Sequence, residues 1–349
     1  MQEKRLQWID VAKGLLVLMV VFGHIRGHAY SMGYNNTSIG IIDFFSNVFI
    51  PFYMPCFFVI TGFCSSFDKP FKKFAVSSFK SIMIPAFFFS FVFFVSYHVY
   101  DYRILLSFAK NLLLFGGNYW FLPALFLSRL LYWLISKYSK TGKQIAVFCA
   151  ISFILGFAFK GIPPEKELWW FAHVLLMLPF LGIGQWLKHI FGKIELSRFF
   201  LYSIIAYFLF LIVVFVLVKT GVIYVDSYLF VPGITQKLFN INVPMFIPLV
   251  LLSVIGSFAL LGFSYRINHN NILEFLGKNS LVIYCAQGYV LNNTLSYIKK
   301  LSNVIGINYQ SVIPSILLIL LSFVITVLIC SAFSWIMNRK YVRVFLGKF

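Results

Sequence analysis

Long apolar runs separated by short, mostly basic connections dominate the chain, and the first of them sets the pattern. Arg5, Asp10 and Lys13 lead into an uncharged stretch from Gly14 to Gly23, and His24 follows it directly. With its flanks, the run from Val11 to Ile25 is long enough for a membrane-spanning helix of about 20 residues. Comparable runs recur at residues 45–66, 80–100, 119–136, 144–160, 168–187, 199–218, 244–264, 279–298 and 312–336. The pattern predicts an all-α polytopic membrane protein with about ten transmembrane helices.

On a straight first helix Asp10 and His24 lie roughly 21 Å apart along the axis and cannot touch. Asp10 and Lys13 are three residues apart on one face, a spacing at which opposite charges pair. An ionisable group in a spanning segment usually faces a protein interior or a wet cavity, which makes His24 the leading candidate for chemistry. The simpler alternative is an imidazole resting among headgroups.

Orientation follows from the basic connections, because Lys and Arg are retained on the cytoplasmic side. Lys69, Lys72, Lys73 and Lys80, then Arg129, Lys137, Lys140 and Lys143, and finally the tail Arg339, Lys340, Arg343 and Lys348 fall on alternate connections. Both termini are therefore expected in the cytoplasm, with His24 toward the outer leaflet and Arg5, Asp10 and Lys13 at the inner face.

Pro51, Pro55 and Gly62 interrupt the second run and predict a broken helix beside the first, since prolines free backbone carbonyls. Residues 101–118 carry Leu105, Leu106, Phe108 and Leu112 among polar neighbours and read as an amphipathic piece along the outer interface. The stretch Val222–Asn242, with its Pro232-Gly233 turn, is the longest outside connection and a candidate cover for an outward cavity.

Composition narrows the class further. Hydrophobic residues make up 60% of the 349, and the mean hydropathy is +0.88, values foreign to a water-soluble domain. The runs are too long for the alternating strands of a barrel, despite 44 phenylalanines and 19 tyrosines. A net charge of +19 is explained by membrane orientation, so no nucleic acid partner is expected. The first run lacks a cleavage site of small residues and is expected to be retained. Cys56, Cys64, Cys149, Cys285 and Cys330 show no paired spacing and read as small core residues. His28, placed in the outside loop beyond His24, and His98, His173, His189 and His269 lack ligand spacing, so no metal is expected.

With these residues in view, the chain resembles the acyltransferase 3 family of integral membrane acyltransferases, and most closely its fucose 4-O-acetylase-like branch, over nearly its whole length. The family's opening pattern is similar to Arg5, Ile9-Asp10, Lys13-Gly14 and Gly23-His24. Its second pattern resembles Phe57-Phe58-Val59-Ile60-Thr61-Gly62-Phe63, with further likeness at Tyr119-Trp120-Phe121-Leu122-Pro123-Ala124-Leu125 and at Leu276-Gly277-Lys278-Asn279-Ser280-Leu281 with Tyr284. There are departures. Lys73 and Lys80 stand where members commonly carry arginines, keeping charge but losing the planar fork. Gln287 stands where many carry a histidine, and it cannot carry a proton near neutral pH.

The resemblance implies one membrane-embedded acyltransferase domain over residues 1–349 in the bacterial cytoplasmic membrane. It would move an acyl group, usually acetyl from acetyl-CoA, to a hydroxyl of a cell-surface carbohydrate or polysaccharide precursor. His24 is then the base that takes the hydroxyl proton, or itself the acyl acceptor. Thr61, Tyr284 and Gln287 are candidate oxyanion donors, and Asp10 holds Lys13 in place. Arg5, Lys13, Lys73, Lys80 and Lys278 form the expected inner-face attraction for coenzyme A phosphates. A carrier or flippase for a sugar-lipid or an acylated polysaccharide is the competing class, and a non-catalytic accessory subunit the third. Membrane lipid and a glycan acceptor are the expected partners.

Overall fold

A computed structural model describes residues 6–97, 102–115, 119–159, 168–191, 193, 195–219 and 243–347. Arg5 and the connection Val222–Asn242 lie outside the described residues. Within them every regular element is helical. In chain order these are α1 (Gln7–Ser31), α2 (Asn36–Ser46), α3 (Ile50–Cys64), α4 (Phe71–Ser78), α5 (Ile84–Tyr97), α6 (Tyr102–Phe115) and α7 (Phe121–Tyr138). There follow α8 (Gly142–Phe159), α9 (Phe171–Ile190), α10 (Leu196–Lys219), α11 (Val243–Ile267), α12 (Asn271–Lys278), α13 (Ser280–Ile305) and α14 (Val312–Met337). A π-helical turn, Phe79–Met83, joins α4 to α5.

Among the described residues each of the ten apolar runs is helical, the second divided between α2 and α3, and α6 occupies the predicted amphipathic piece. By length and composition, seven helices among the described residues are able to cross a membrane, or eight if the bent pair α2–α3 is one span. α7 and α13 fall short of that test because they carry polar groups: Arg129 and Lys137 on α7, Gln287, Asn292 and Asn293 on α13. Both are packed into the bundle, α7 against α9 and α13 against α1 and α14.

The second run is broken, as expected, but not where its prolines suggest. α2 and α3 meet at 40° across Asn47–Phe49, ahead of Pro51. Pro51 sits in the first turn of α3, where no helical donor is lost. Pro55 lies inside α3 and leaves the Pro51 carbonyl without its usual donor. The Ser253 hydroxyl of α11 donates to that carbonyl at 2.6 Å and keeps the helix whole. The same device recurs in α9: Pro179 frees the Leu175 carbonyl, and the Ser152 hydroxyl of α8 reaches it at 3.3 Å. In lipid such bonds matter because no water replaces them.

Close backbone contact holds α12 on α1. A Cβ on Gly277 would lie 1.8 Å from the Asp10 carbonyl oxygen, and one on Gly14 would lie 2.1 Å from that of Leu273. Only glycine fits either place, and small residues are what allow helices to approach in membranes. Gly277→Val is expected to lower stability by about 1–3 kcal/mol through this overpacking, read as a lower thermal midpoint of the purified protein in detergent.

Candidate functional site

α1 is continuous from Gln7 to Ser31, so His28 lies on the helix one turn beyond His24 rather than in a loop. Val20, Val21 and Ile25 around His24 are fully buried, whereas the imidazole itself remains accessible. Its Nδ1 is 2.8 Å from the Val20 carbonyl oxygen. A carbonyl only accepts, so Nδ1 carries a proton, and in the neutral ring Nε2 is then the nitrogen with the lone pair. The ring is thereby fixed in the tautomer that a proton acceptor requires.

α13 runs alongside α1 in the same direction. Ile283 shares a buried cluster with Val17 and Val21, and Leu291 and Leu295 share one with Ile25 and Ala29. Gln287 lies midway between Ile283 and Leu291 on that stripe, which places it level with Gly23 and His24. It is 4% exposed, and its Oε1 has no hydrogen-bond partner among the described residues. Tyr284, one turn deeper, receives a hydrogen bond from the Phe121 amide and interacts with the phenols of Tyr119 and Tyr53. The Tyr53 hydroxyl would lie 3.9 Å from a Cβ on Gly23, which ties this tyrosine cluster to the His24 level of α1. Tyr119 donates to the Cys285 carbonyl at 2.8 Å and is thereby held in place.

A second constellation lies at the other end of α1. Lys13, Thr61, Cys64, Ser65, Ser66, Lys69, Ser77 and Arg129 line a polar cavity of about 280 Å³, with Ile60 and Phe74. Among the described residues three cations border it and no carboxylate does. The Arg129 guanidinium lies over the Phe74 ring at 5.2 Å, and its Nε is buried without a hydrogen-bond partner among the described residues. Asp10, 2% exposed, pairs with Lys13 at 3.8 Å. Thr61 belongs to this cavity and not to the surroundings of His24. Cys64 is exposed here, in contrast to the four buried cysteines, so the core reading fails for it.

The remaining basic candidates divide. Lys73 and Lys80, with Lys72, line an adjoining open groove of about 640 Å³ that shares Ser77 and Pro70 with its neighbours and ends at Gly347. Lys80 belongs to the π-helical turn, a distortion often found where function requires a displaced side chain. Lys278 is committed elsewhere: it bonds Glu274 at 2.9 Å, and His269 contacts the other carboxylate oxygen. The bond from Lys278, with that from His269, holds the Glu274 carboxyl below its usual pKa against the opposing effect of burial. Such a depressed carboxyl stabilises the fold above its unfolded pKa, and the effect is lost as pH falls through the lowered value. Glu274→Gln is expected to flatten the acid limb of a thermal-midpoint profile below the ordinary carboxylate range while leaving the neutral plateau lower. An unchanged profile would show that the pair is inert.

In the sequence Arg129 and Lys69 count only toward orientation, and Glu274 carries no motif signal. The spacing Glu274 to Lys278 is the i,i+4 arrangement of a helical ion pair and could have revealed that one. Nothing local marks Arg129, which becomes a cavity residue only through the docking of α7 on α4.

No curated protein and no solved structure matches the chain. The model of the family described as an acyltransferase domain, acyltransferase 3, matches residues 6–335 and so spans both constellations on α1. A match of that extent places the chain in the acyltransferase 3 family of membrane acyltransferases.

Proposed function

We propose that this protein is an O-acyltransferase of the bacterial cytoplasmic membrane, its termini cytoplasmic, that moves acetyl from acetyl-CoA to a hydroxyl of a cell-surface carbohydrate or its precursor. The single observation that carries the reading is the division of labour along α1. Lys13 opens into a cavity bordered only by positive charge, and an accessible, tautomer-fixed His24 lies about three turns, roughly 16 Å, further along the same helix.

A cavity with three cations, no carboxylate among the described residues and an Arg129 Nε that has no hydrogen-bond partner there suits the phosphates of coenzyme A. The groove of Lys72, Lys73 and Lys80 next to it suits a second phosphate of the same molecule. The donor's long thiol arm then covers the distance to His24. Arg5 belongs to the same proposal by its place in the motif, and Lys278 contributes least because Glu274 already holds it.

At the other end, a sugar hydroxyl needs a base. Nε2 of His24 takes the proton as the oxygen attacks the thioester carbonyl, and a tetrahedral oxyanion forms. The Gln287 amide and the Tyr284 phenol supply donors toward it. When the carbon–sulfur bond breaks, the imidazolium returns the proton to the departing thiolate, and the base is regenerated. Asp10 acts through Lys13 and is a positioning residue. The fucose 4-O-acetylase-like branch is the nearest functional analogy for the acceptor.

The test is radiolabelled acetyl transfer by the purified protein in proteoliposomes, with acetyl-CoA and defined acceptor sugars. Label in the sugar supports the proposal. Movement of a sugar-lipid across the bilayer without incorporation would favour a carrier, and binding of neither donor nor sugar an accessory subunit.

A further inference from the structure

A third cavity belongs to neither end of α1. It measures about 1430 Å³, beyond the roughly 300–1,000 Å³ of an ordinary small-molecule site. α9 forms its floor, and α7, α8, part of α11 and the connection from Ser65 to Pro70 after α3 complete its lining. The wall is apolar along Ile145, Phe153, Ile183 and Val254, and Gly182 keeps the floor open: a Cβ there would meet the Cys149 sulfur at 3.3 Å. Charge is confined to one end, where Lys69, Lys137, Lys188 and His189 gather with Asp68 as the only carboxylate among the described lining residues.

This end is the one shared with the cationic cavity of Lys13, through Ser65, Ser66 and Lys69, and so lies toward the proposed inner face. An apolar trough entered between membrane helices, with basic groups at headgroup level, is the arrangement that selects anionic lipid heads. We infer that the trough between α8 and α11 binds an anionic phospholipid of the inner leaflet, its phosphate on Lys137 and Lys188 and its acyl chain along α8 and α9.

The occupant also bears on the neighbouring cavity. The chain from Ser65 to Pro70 forms the partition between the two. It is held by the Gln185 amide and the Lys188 ammonium on the Ser65 carbonyl, at 3.0 and 3.1 Å, and by the Trp133 indole on that of Lys69 at 2.9 Å. A phosphate drawing on Lys188 would touch this partition from the lipid side, through the Lys188 bond to the Ser65 carbonyl.

The experiment is native mass spectrometry of the full-length protein in mild detergent, offered equal amounts of phosphatidylglycerol and phosphatidylcholine. Phosphatidylglycerol should be retained preferentially. Lys137→Gln, a change at an exposed position, should lower that preference about fivefold. Ala150→Trp, on the face of α8 that lines the trough, should fill it and remove retention of both lipids. Equal retention of the two lipids, or unchanged preference in Lys137→Gln, would overturn the inference. So would acetyl-CoA displacing the lipid competitively in the wild type, which would give the trough to the donor. None of these readouts requires acyl transfer, so they stand or fall apart from the proposed reaction.

Discussion

Replacing His24 with alanine is expected to lower the turnover of acyl transfer by about 10²–10⁴-fold, the usual contribution of a positioned base, with little change in abundance or thermal midpoint. The site tolerates the loss structurally because the ring faces accessible space while Val20, Val21 and Ile25 carry the packing around it. His24→Asn is the sharper variant. An asparagine amide can repeat the Nδ1 hydrogen bond to the Val20 carbonyl, yet it offers nothing where Nε2 stood. If orientation of the helix were all that mattered, His24→Asn would restore activity. Loss of activity in both variants locates the requirement at Nε2. Acidification should act in the same direction, because protonating Nε2 removes the lone pair. Trapping a labelled acyl group on the protein in the absence of sugar would separate an acyl-histidine intermediate from direct transfer.

Much of this arrangement was legible because α1 is a single uninterrupted helix. Once Asp10, Lys13 and His24 are known to share it, the rise per residue fixes their order and their separation without any knowledge of neighbours. The Asp10–Lys13 pair follows from the same geometry and is present. Tyr284 and Gln287 were legible only through the family likeness, as residues of its late motif. Their level relative to His24 was not, since it depends on the register between helices more than 250 residues apart in sequence. The motif glycines are a similar case. Gly14 and Gly277 announce close packing, but only the fold shows that each meets the other's helix.

Where the sequence misled, a competing contact was responsible. The prolines of α3 pointed to a break that Ser253 prevents, by giving the Pro51 carbonyl a donor from another helix. Lys278 was grouped with the donor-binding cations because its charge was counted without its i,i+4 partner Glu274. The runs of α7 and α13 read as spans in the sequence despite the polar groups they carry. A helix enclosed by others needs no continuous apolar surface and is free to carry polar residues toward an interior site.

Arg129→Gln provides the second large effect. Its guanidinium is held over Phe74 beside Lys13 and Lys69, with Nε buried and without a hydrogen-bond partner among the described residues, and in the proposed function a phosphate of the donor supplies that acceptor. A hydrogen bond to a charged group contributes about 1.5–3 kcal/mol, which corresponds to roughly 10–150-fold in donor affinity. The expected result is a rise of that order in the KM for acetyl-CoA, with the KM for the sugar unchanged. Arg129→Lys should recover only part of the loss, because an ammonium keeps the charge without the fork. Lys278→Gln should leave donor affinity as it was, while Lys73→Gln and Lys80→Gln should lower it less than Arg129→Gln does. These two lysines allow a further discrimination. If they hold the phosphate on the donor's ribose, removing that phosphate from the donor should weaken binding to the wild type but add nothing to the lysine variants. Equal sensitivity in all three would move that phosphate away from the groove. A rise in the sugar KM for Arg129→Gln would instead place the acceptor, not the donor, at the inner end of α1 and reverse the direction of the proposed transfer.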